Sequence, residues 1–284
     1  MRRFLSLLCL AVLLLPLAAL AEYSFSNDPD AVEKAADSVF LLEVYDASNR
    51  KLALGSGFVI FAPSIMATNY HVIEDGAYVV AVGDDAEQYV IDEVCAADKK
   101  LDLAILRFQP AGSIRPLEYD ASGDLKRSQT VVTIGSPAGL KNTVSIGNIS
   151  AFFDQGKKDW IQFTAPISSG SSGGALLNDQ GKVIGITTAT YASAQNVNLA
   201  VRVKALVDLY AKWDGKTVRK LGQVTGGGSV QISVPSVQTG KVWITKSGKK
   251  YHNNPTCSKM KSPVEIDLLE AIEKGYEPCG KCYK

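Results

Sequence analysis

The chain has 284 residues, a formal net charge of +1 and a hydrophobic content of 46%. This length can hold one large or two modest domains, and the apolar content is sufficient for a buried core. The near-zero charge excludes a global electrostatic attraction to nucleic acid or to a membrane surface. Any partner must therefore be recognised through local features of the chain.

Residues 1–21 have the features of a secretory signal peptide. Two arginines precede an apolar run from Phe4 to Leu20, and Ala19 and Ala21 are small residues at the positions that a signal peptidase reads. The alternative is a retained membrane anchor, but the apolar run is short for a membrane span. We therefore expect cleavage, export to the periplasm or the exterior, and no membrane contact afterwards.

Residues 22–213 are predicted to form one β-rich domain that begins and ends with a helix. The first helix is expected over 28–39 with Asn27 or Asp28 as its cap, and the last over 203–213. Short apolar runs between Gly, Asp and Asn turns predict strands, and strands this short indicate an all-β barrel or sandwich. The runs cover 39–44, 52–61, 65–68, 78–82, 88–94 and 103–108, then 130–135, 143–149, 160–163, 175–177, 183–190 and 198–201.

A glycine- and serine-rich stretch in the second half is the candidate nucleophile loop. Residues 170–174 read Gly-Ser-Ser-Gly-Gly. Glycines permit turns that other residues resist, so backbone amides can converge on a developing oxyanion. Ser172 has a glycine two positions before it and a pair after it, unlike its rivals Ser168, Ser169 and Ser171. The alternative is an ordinary Gly/Ser loop.

A serine hydroxyl needs a base to become a nucleophile, and the base is usually an imidazole oriented by a carboxylate. The chain has two histidines, and His71 ends an apolar run. Asp102 precedes Leu-Ala-Ile-Leu, and a buried carboxylate there needs a partner such as the ring of His71. The order His71, Asp102, Ser172 is that of chymotrypsin. The alternative for His71 is a satisfied core histidine.

Five segments in this order resemble those of trypsin-like serine proteases, most closely the bacterial HtrA/Deg type, over about residues 39–210. They are Gly-Ser-Gly-Phe at 55–58, Thr-Asn-Tyr-His-Val at 68–72, Asp-Leu-Ala-Ile-Leu at 102–106, Gly-Ser-Pro-Ala-Gly at 135–139 and Gly-Ser-Ser-Gly-Gly-Ala-Leu at 170–176. The resemblance implies two six-stranded antiparallel β-barrels of the chymotrypsin type, with the triad divided between them. It also implies an oxyanion hole made by the backbone amides of Gly170 and Ser172, and no cofactor for catalysis.

The same resemblance places the base of the primary specificity pocket at Pro166, with Ile167 next to it. No carboxylate stands there to receive Lys or Arg. Leu199 and Ala200 are expected to line another wall. We therefore expect protein or peptide substrates with a small or medium apolar residue on the acyl side of the scissile bond.

Beyond the predicted last helix, residues 214–240 are rich in Gly, Ser, Val and Pro and are predicted to be a flexible linker. HtrA-type proteases often carry a PDZ domain at this point. Residues 241–284 are of another kind and are expected to form a small separate α+β module. This departure leaves the oligomeric state open.

The last segment carries a candidate zinc site. His252 and Cys257 form one pair, and Cys279 and Cys282 form a Cys-x-x-Cys pair. A closed Cys3His site fits this spacing, and a segment too small for its own core needs such a staple. The segment also resembles the Ada-type zinc-binding module. The alternative is a disulfide framework, because Cys95 brings the mature cysteine count to an even number.

Two functions of different classes are consistent with the sequence. The first is an exported serine endopeptidase with a zinc-stabilised accessory module. The second is a non-catalytic binding protein that keeps the protease scaffold and acts through its C-terminal module. No specific nucleic-acid partner is expected for either.

Overall fold

The computed structural model describes residues 23–84, 87–110, 114–155, 158–190, 196–228, 241–245, 248–252, 254–257, 260–267, 271, 274, 276–279 and 281. The predicted signal peptide, residues 229–240 of the predicted linker and the candidate ligand Cys282 lie outside these residues. In the described part of the chain, no helix is long and apolar enough to cross a membrane.

The predicted all-β, chymotrypsin-like fold class is confirmed. The first half of the domain contains β1 (Val39–Tyr45), β2 (Lys51–Val59), β3 (Ile65–Thr68), β4 (Tyr78–Val82), β5 (Gln88–Ile91), β6 (Glu93–Asp98) and β7 (Leu103–Arg107). The second half contains β8 (Thr130–Gly135), β9 (Thr143–Gln155), β10 (Lys158–Phe163), β11 (Ala175–Asn178), β12 (Val183–Thr190) and β13 (Asn198–Arg202). Each predicted apolar run therefore overlaps a strand, and the run 88–94 overlaps both β5 and β6.

The two halves close differently. The second half is a closed six-stranded barrel in the order β10-β13-β12-β11-β8-β9, as predicted. The first half differs from the expected closed barrel. A further strand, β14 (Arg219–Lys220), comes from beyond the second half and pairs with β6, so β6 does not pair with β5. The result is an open eight-stranded sheet in the order β14-β6-β7-β3-β2-β1-β4-β5.

Four α-helices are described. Helix α1 (Pro29–Ala36) begins at the predicted cap Asp28, whose Oδ1 accepts a hydrogen bond from the Ala31 amide at 3.1 Å. It ends before the predicted position because β1 starts at Val39. The other three are α2 (Tyr70–Ile73), which the sequence did not predict, α3 (Val203–Ala211) and α4 (Leu221–Thr225).

The predicted flexible linker is wrong where the chain forms β14 and α4. Leu221 is fully buried in the core of the first half, and the Thr225 hydroxyl donates to the Gly76 carbonyl at 2.6 Å. An apolar side chain gains about 1.5–3 kcal/mol from such burial, which a flexible segment would forgo. Residues 219–225 are therefore part of the β-rich domain.

One hydrophobic core joins the two halves. It contains Phe58 and Ile105 from the first half together with Ile134 and Val201 from the second. His71 follows β3, Asp102 precedes β7 and Ser172 precedes β11, and all three of these strands contribute side chains to the shared core.

The C-terminal segment forms a small unit of its own strands. Strand β15 (Lys241–Ile244) pairs antiparallel with β17 (Val264–Asp267), and β16 (Lys250–Tyr251) pairs in parallel with β18 (Glu277–Pro278). Its buried cluster consists of Val242, Ile244, Tyr251 and Ala271. This is a very small core for an independent module.

Candidate active site and candidate metal site

The structure brings His71 and Asp102 into contact. One carboxylate oxygen of Asp102 accepts a hydrogen bond from the backbone amide of His71 at 2.8 Å, and the other lies 2.8 Å from the ring atom Nδ1. The first bond satisfies an amide at the start of α2, and the second orients the imidazole. A carboxylate at Nδ1 selects the tautomer that leaves Nε2 able to accept a proton.

The backbone at Asp102 is unusual, because its φ is 59°, in the left-handed region that few non-glycine residues adopt. The residue lies just before β7, and this conformation turns its carboxylate toward α2. The side chain of Asp102 is mostly covered, with 13% exposed, whereas 44% of the His71 side chain is exposed. The imidazole is therefore accessible from the outside while its partner is shielded.

The candidate nucleophile loop needs its glycines. Gly170 and Gly173 have φ values of 95° and 86°. A Cβ at Gly170 would lie 2.6 Å from the Ser136 carbonyl oxygen, and a Cβ at Gly173 would lie 2.1 Å from that of Ser56. Both contacts are shorter than any that a real side chain makes, so larger residues would displace the loop.

Two amides of this loop are available for an incoming oxyanion. Neighbouring amides are occupied, since Ser171 donates to the Ser168 carbonyl and Gly173 to the Thr187 carbonyl. Within the described residues, the amides of Gly170 and Ser172 donate to no protein acceptor. These are the two amides expected to form the oxyanion hole.

Ser172 itself is not hydrogen-bonded to His71 among the described contacts. Its hydroxyl donates to the carbonyl oxygen of Thr188 at 3.1 Å. The hydroxyl of Thr188 accepts from the Asn69 side-chain amide at 3.1 Å, and the same amide donates to the Asp102 carbonyl at 2.9 Å. Polar contacts through Thr188 and Asn69 thus join the serine of the second half to the backbone carbonyl of Asp102 in the first.

Sequence reasoning missed Asn69 and Thr188, which build this connection. Both residues are buried. A polar side chain next to a candidate base is a usable signal for Asn69, which precedes Tyr70 and His71 in one of the matching segments. Nothing in the local pattern marks Thr188, because it lies in a strand of similar residues.

The predicted pocket residues lie in different places. Pro166 and Ile167 line a small cavity together with Thr133, Gly135 and Ser171, and no charged residue is among its described lining. Leu199 and Ala200 are neighbours on β13, and neighbouring strand residues face opposite sides of a sheet. Leu199 packs in the core shared by the halves and Ala200 inside the second barrel. The two therefore do not form one pocket wall.

The C-terminal unit contains a cluster suited to a metal ion. The potential ligand atoms of His252, Cys257 and Cys279 all lie within 4.8 Å of one another. The two sulfur atoms are 4.0 Å apart, about twice the length of an S–S bond, so these two cysteines are not joined to each other. Tetrahedral zinc with Zn–S bonds of about 2.3 Å would hold two sulfurs about 3.8 Å apart.

Backbone hydrogen bonds place these ligands. His252 exchanges two bonds with Trp243 on β15, at 2.8 and 2.9 Å, and the Cys279 amide donates to the Tyr251 carbonyl at 3.0 Å. Burial lowers the pKa of His252, and nearby Lys250 lowers it further, which favours the neutral imidazole that binds metals. The donor set therefore fits zinc.

Cys95 takes no part in the metal cluster. It is an unpaired, buried residue of β6, and burial raises the pKa of its thiol to about 12. Its side chain packs in the core shared by the two halves. The disulfide framework that would have used Cys95 is absent from the described residues.

Comparison with known proteins agrees with this site. Residues 55–186 match the family described as "Trypsin-like peptidase domain". The matched residues include His71, Asp102 and Ser172. The chain is 26% identical to a solved structure of the HtrA-type protease AlgW with a tripeptide, with a TM-score of 0.58, covering 63% of this chain and 61% of that one.

Curated relatives are similar over the same part of the chain. Serine protease HTRA3 of Mus musculus is 31% identical over 218 residues, which is 69% of this chain and 46% of that protein. Anti-sigma-I factor RsgI9 of Acetivibrio thermocellus is 34% identical over 191 residues, which is 64% of this chain and 27% of that protein. The chain thus spans less than half the length of these two relatives.

Proposed function

We propose that the protein is an exported serine endopeptidase with His71, Asp102 and Ser172 as its catalytic triad. The observation that carries this proposal is the pair of unoccupied amides at Gly170 and Ser172, on a loop linked to the bonded pair of His71 and Asp102. Amides without a protein acceptor are free to bind a developing oxyanion.

The mechanism follows from these contacts. Rotation of the Ser172 side chain away from the Thr188 carbonyl frees its hydroxyl to attack a peptide carbonyl, and His71 accepts its proton. Asp102 stabilises the imidazolium, and the amides of Gly170 and Ser172 hold the negative oxygen of the tetrahedral intermediate. His71 then donates the proton to the leaving amine as the C–N bond breaks. A water molecule that His71 deprotonates next hydrolyses the serine ester, which releases the acyl product and restores the Ser172 hydroxyl.

Labelling with a fluorophosphonate probe tests the proposal most directly. The purified mature protein should be labelled and should cleave peptides, and Ser172→Ala should lose both properties. Ser168→Ala is the matched control, because it removes an exposed hydroxyl from the same loop and should be labelled normally. Labelling that persists in Ser172→Ala would assign the nucleophile elsewhere.

The substrate preference is proposed to be a small or medium apolar residue on the acyl side. The uncharged cavity beside Pro166 and Ile167 supports this preference. A peptide library should show Ala, Val or similar residues at that position, and a preference for Arg, Lys or Glu would contradict it.

The C-terminal unit is proposed to hold one structural zinc ion, with His252, Cys257 and Cys279 as ligands and Cys282 as the fourth. Bound zinc would cross-link the two stretches of chain that carry these ligands and would supply no catalytic step. Elemental analysis of the purified protein should find about one zinc per chain, and Cys282→Ser should lower that content.

A second candidate function is peptide or protein binding without cleavage. The bond from Ser172 to Thr188 favours it, because that hydroxyl is not bonded to a base in this arrangement. A wild-type protein that is never labelled by the fluorophosphonate, yet binds peptides, would establish this alternative.

A further inference from the structure

Two buried hydroxyl groups from outside the nucleophile loop hold the carbonyl groups of that loop. Ser56 on β2 and Thr187 on β12 are 0% and 1% exposed. The Ser56 hydroxyl donates to the Gly170 carbonyl at 2.7 Å and accepts from the Ser136 amide at 2.8 Å. The Thr187 hydroxyl lies 2.6 Å from the Ser171 carbonyl oxygen and 3.2 Å from that of Gly174.

Each of four consecutive carbonyls in the loop is occupied. Donors bind them in chain order: the Ala138 amide to Ser169 at 2.7 Å, the Ser56 hydroxyl to Gly170, the Thr187 hydroxyl to Ser171, and the Ser56 amide to Ser172 at 2.8 Å. A planar trans peptide points its N–H opposite to its C=O. The direction of each carbonyl therefore sets the direction of the amide behind it.

Thr187 acts on the peptide that carries the Ser172 amide, because that amide belongs to the same peptide plane as the Ser171 carbonyl. The Ser56 hydroxyl acts on the peptide that joins Gly170 to Ser171, which lies between the two amides of the oxyanion hole, and the Ser56 backbone amide binds the carbonyl of Ser172. Gly170 has little intrinsic resistance to rotation. Without the Ser56 hydroxyl, the peptide after Gly170 would lose one of its two contacts and would be held only by the bond from the Ser171 amide to the Ser168 carbonyl.

We propose that Thr187 and Ser56 are positioning residues of the oxyanion hole: Thr187 aims the Ser172 amide through the Ser171 carbonyl, and Ser56 holds the peptide between the amides of Gly170 and Ser172 through the Gly170 carbonyl. This inference rests on the proposed peptidase function. Dipoles fixed before the reaction stabilise the transition state without reorganisation, whereas loosened dipoles do not. Loss of either hydroxyl should therefore lower kcat more than it raises KM.

Ser56→Ala tests the first residue, with Ser38→Ala as its matched control. Ser38 is equally buried, and its hydroxyl donates to the Arg115 carbonyl at 2.6 Å, so both variants lose a hydroxyl-to-carbonyl bond, while Ser56→Ala also loses the bond from the Ser136 amide. We expect kcat of Ser56→Ala to fall about tenfold or more with KM changed by less than about twofold. Ser38→Ala should also lower the unfolding temperature but keep the wild-type kcat.

Thr187→Val tests the second residue without changing side-chain shape, and Thr225→Val is its control. Both threonines donate a buried hydroxyl to backbone carbonyls, but Thr225 bonds Gly76 and Leu221 instead of the nucleophile loop. We expect only Thr187→Val to lose kcat. Its affinity for a peptide aldehyde, which forms a tetrahedral adduct, should fall in parallel with kcat/KM.

The outcomes separate this inference from the proposed function. A wild-type protein that neither cleaves peptides nor reacts with a fluorophosphonate would overturn both. An active wild-type protein whose Ser56→Ala and Thr187→Val variants are as fast as their controls would overturn the positioning role alone. If one variant fails to fold, the result for the other decides.

Discussion

The β-rich domain and the C-terminal unit are stabilised by different means. The domain buries large side chains such as Phe58, Phe163 and Leu42 completely, and one core joins its two halves. Among its described residues, the C-terminal unit has a buried cluster of four next to its His/Cys cluster. Because so small a unit cannot bury enough apolar surface, we expect its stability to depend on ligation, while that of the domain depends on packing.

The largest expected effect is a loss of catalytic activity without a loss of stability in the β-rich domain. Asp102→Asn keeps the side-chain shape but selects the wrong tautomer of His71, so kcat should fall about 10⁴-fold. Thermal unfolding of the domain should change little. The measurement is hydrolysis of a fluorogenic peptide alongside a melting curve, and a variant within tenfold of wild type would contradict the assigned role.

Metal removal should separate the two regions. If the unit holds the proposed zinc, a chelator such as 1,10-phenanthroline should release the metal and unfold the C-terminal unit, because a structural zinc ion supplies folding free energy. Limited digestion with an added protease should then cut beyond residue 241, while the peptidase activity of the domain stays unchanged.

A matched pair of variants controls for reactions of the chelator elsewhere. Cys279→Ser should reproduce the cleavage pattern without a chelator, and Cys95→Ser should not, since Cys95 lies outside the cluster. A domain that loses activity together with the zinc would show that the two regions do not fold independently.

A substitution that creates a cavity in the β-rich domain should have an effect of intermediate size, on the free energy of unfolding. Leu221→Ala removes a fully buried side chain from the first half, so the free energy of unfolding should fall by about 2–5 kcal/mol. Leu140→Ala is the control, because Leu140 is 67% exposed and should change stability by less than about 0.5 kcal/mol. Urea unfolding measures both, and zinc content should stay constant. If Leu221→Ala and Leu140→Ala have the same free energy of unfolding, residues 219–225 would instead be a linker.

The smallest effect concerns the thiols of the two regions. The pKa of Cys95, raised to about 12 by burial, keeps its thiol protonated at pH 8.5, and the thiolate is the reactive form. Iodoacetamide at that pH should leave Cys95 unmodified in the folded protein and modify it in denaturant. Peptide mapping by mass spectrometry distinguishes it from the C-terminal cysteines, and rapid modification in the folded state would contradict its burial.

Local patterns predicted most of the strands and the contact of His71 with Asp102, because apolar runs and matching segments are properties of short stretches. They failed at residues 219–225, where Leu221 is buried by strands more than a hundred positions earlier in the chain. They also failed at Ser56 and Thr187, since a small hydroxyl in a strand has no pattern that reveals which carbonyl it meets. The left-handed backbone of Asp102 likewise depends on its distant partner.

Because β14 and α4 pack on the first half, that half cannot be completed in a newly made chain until both elements have been synthesised. Until Leu221 has left the ribosome, the interior of that half lacks a side chain and the outer edge of β6 is unpaired. The half that carries His71 is therefore synthesised first and completed last. In the proposed peptidase, His71 would therefore reach its finished surroundings only after Ser172 has been synthesised.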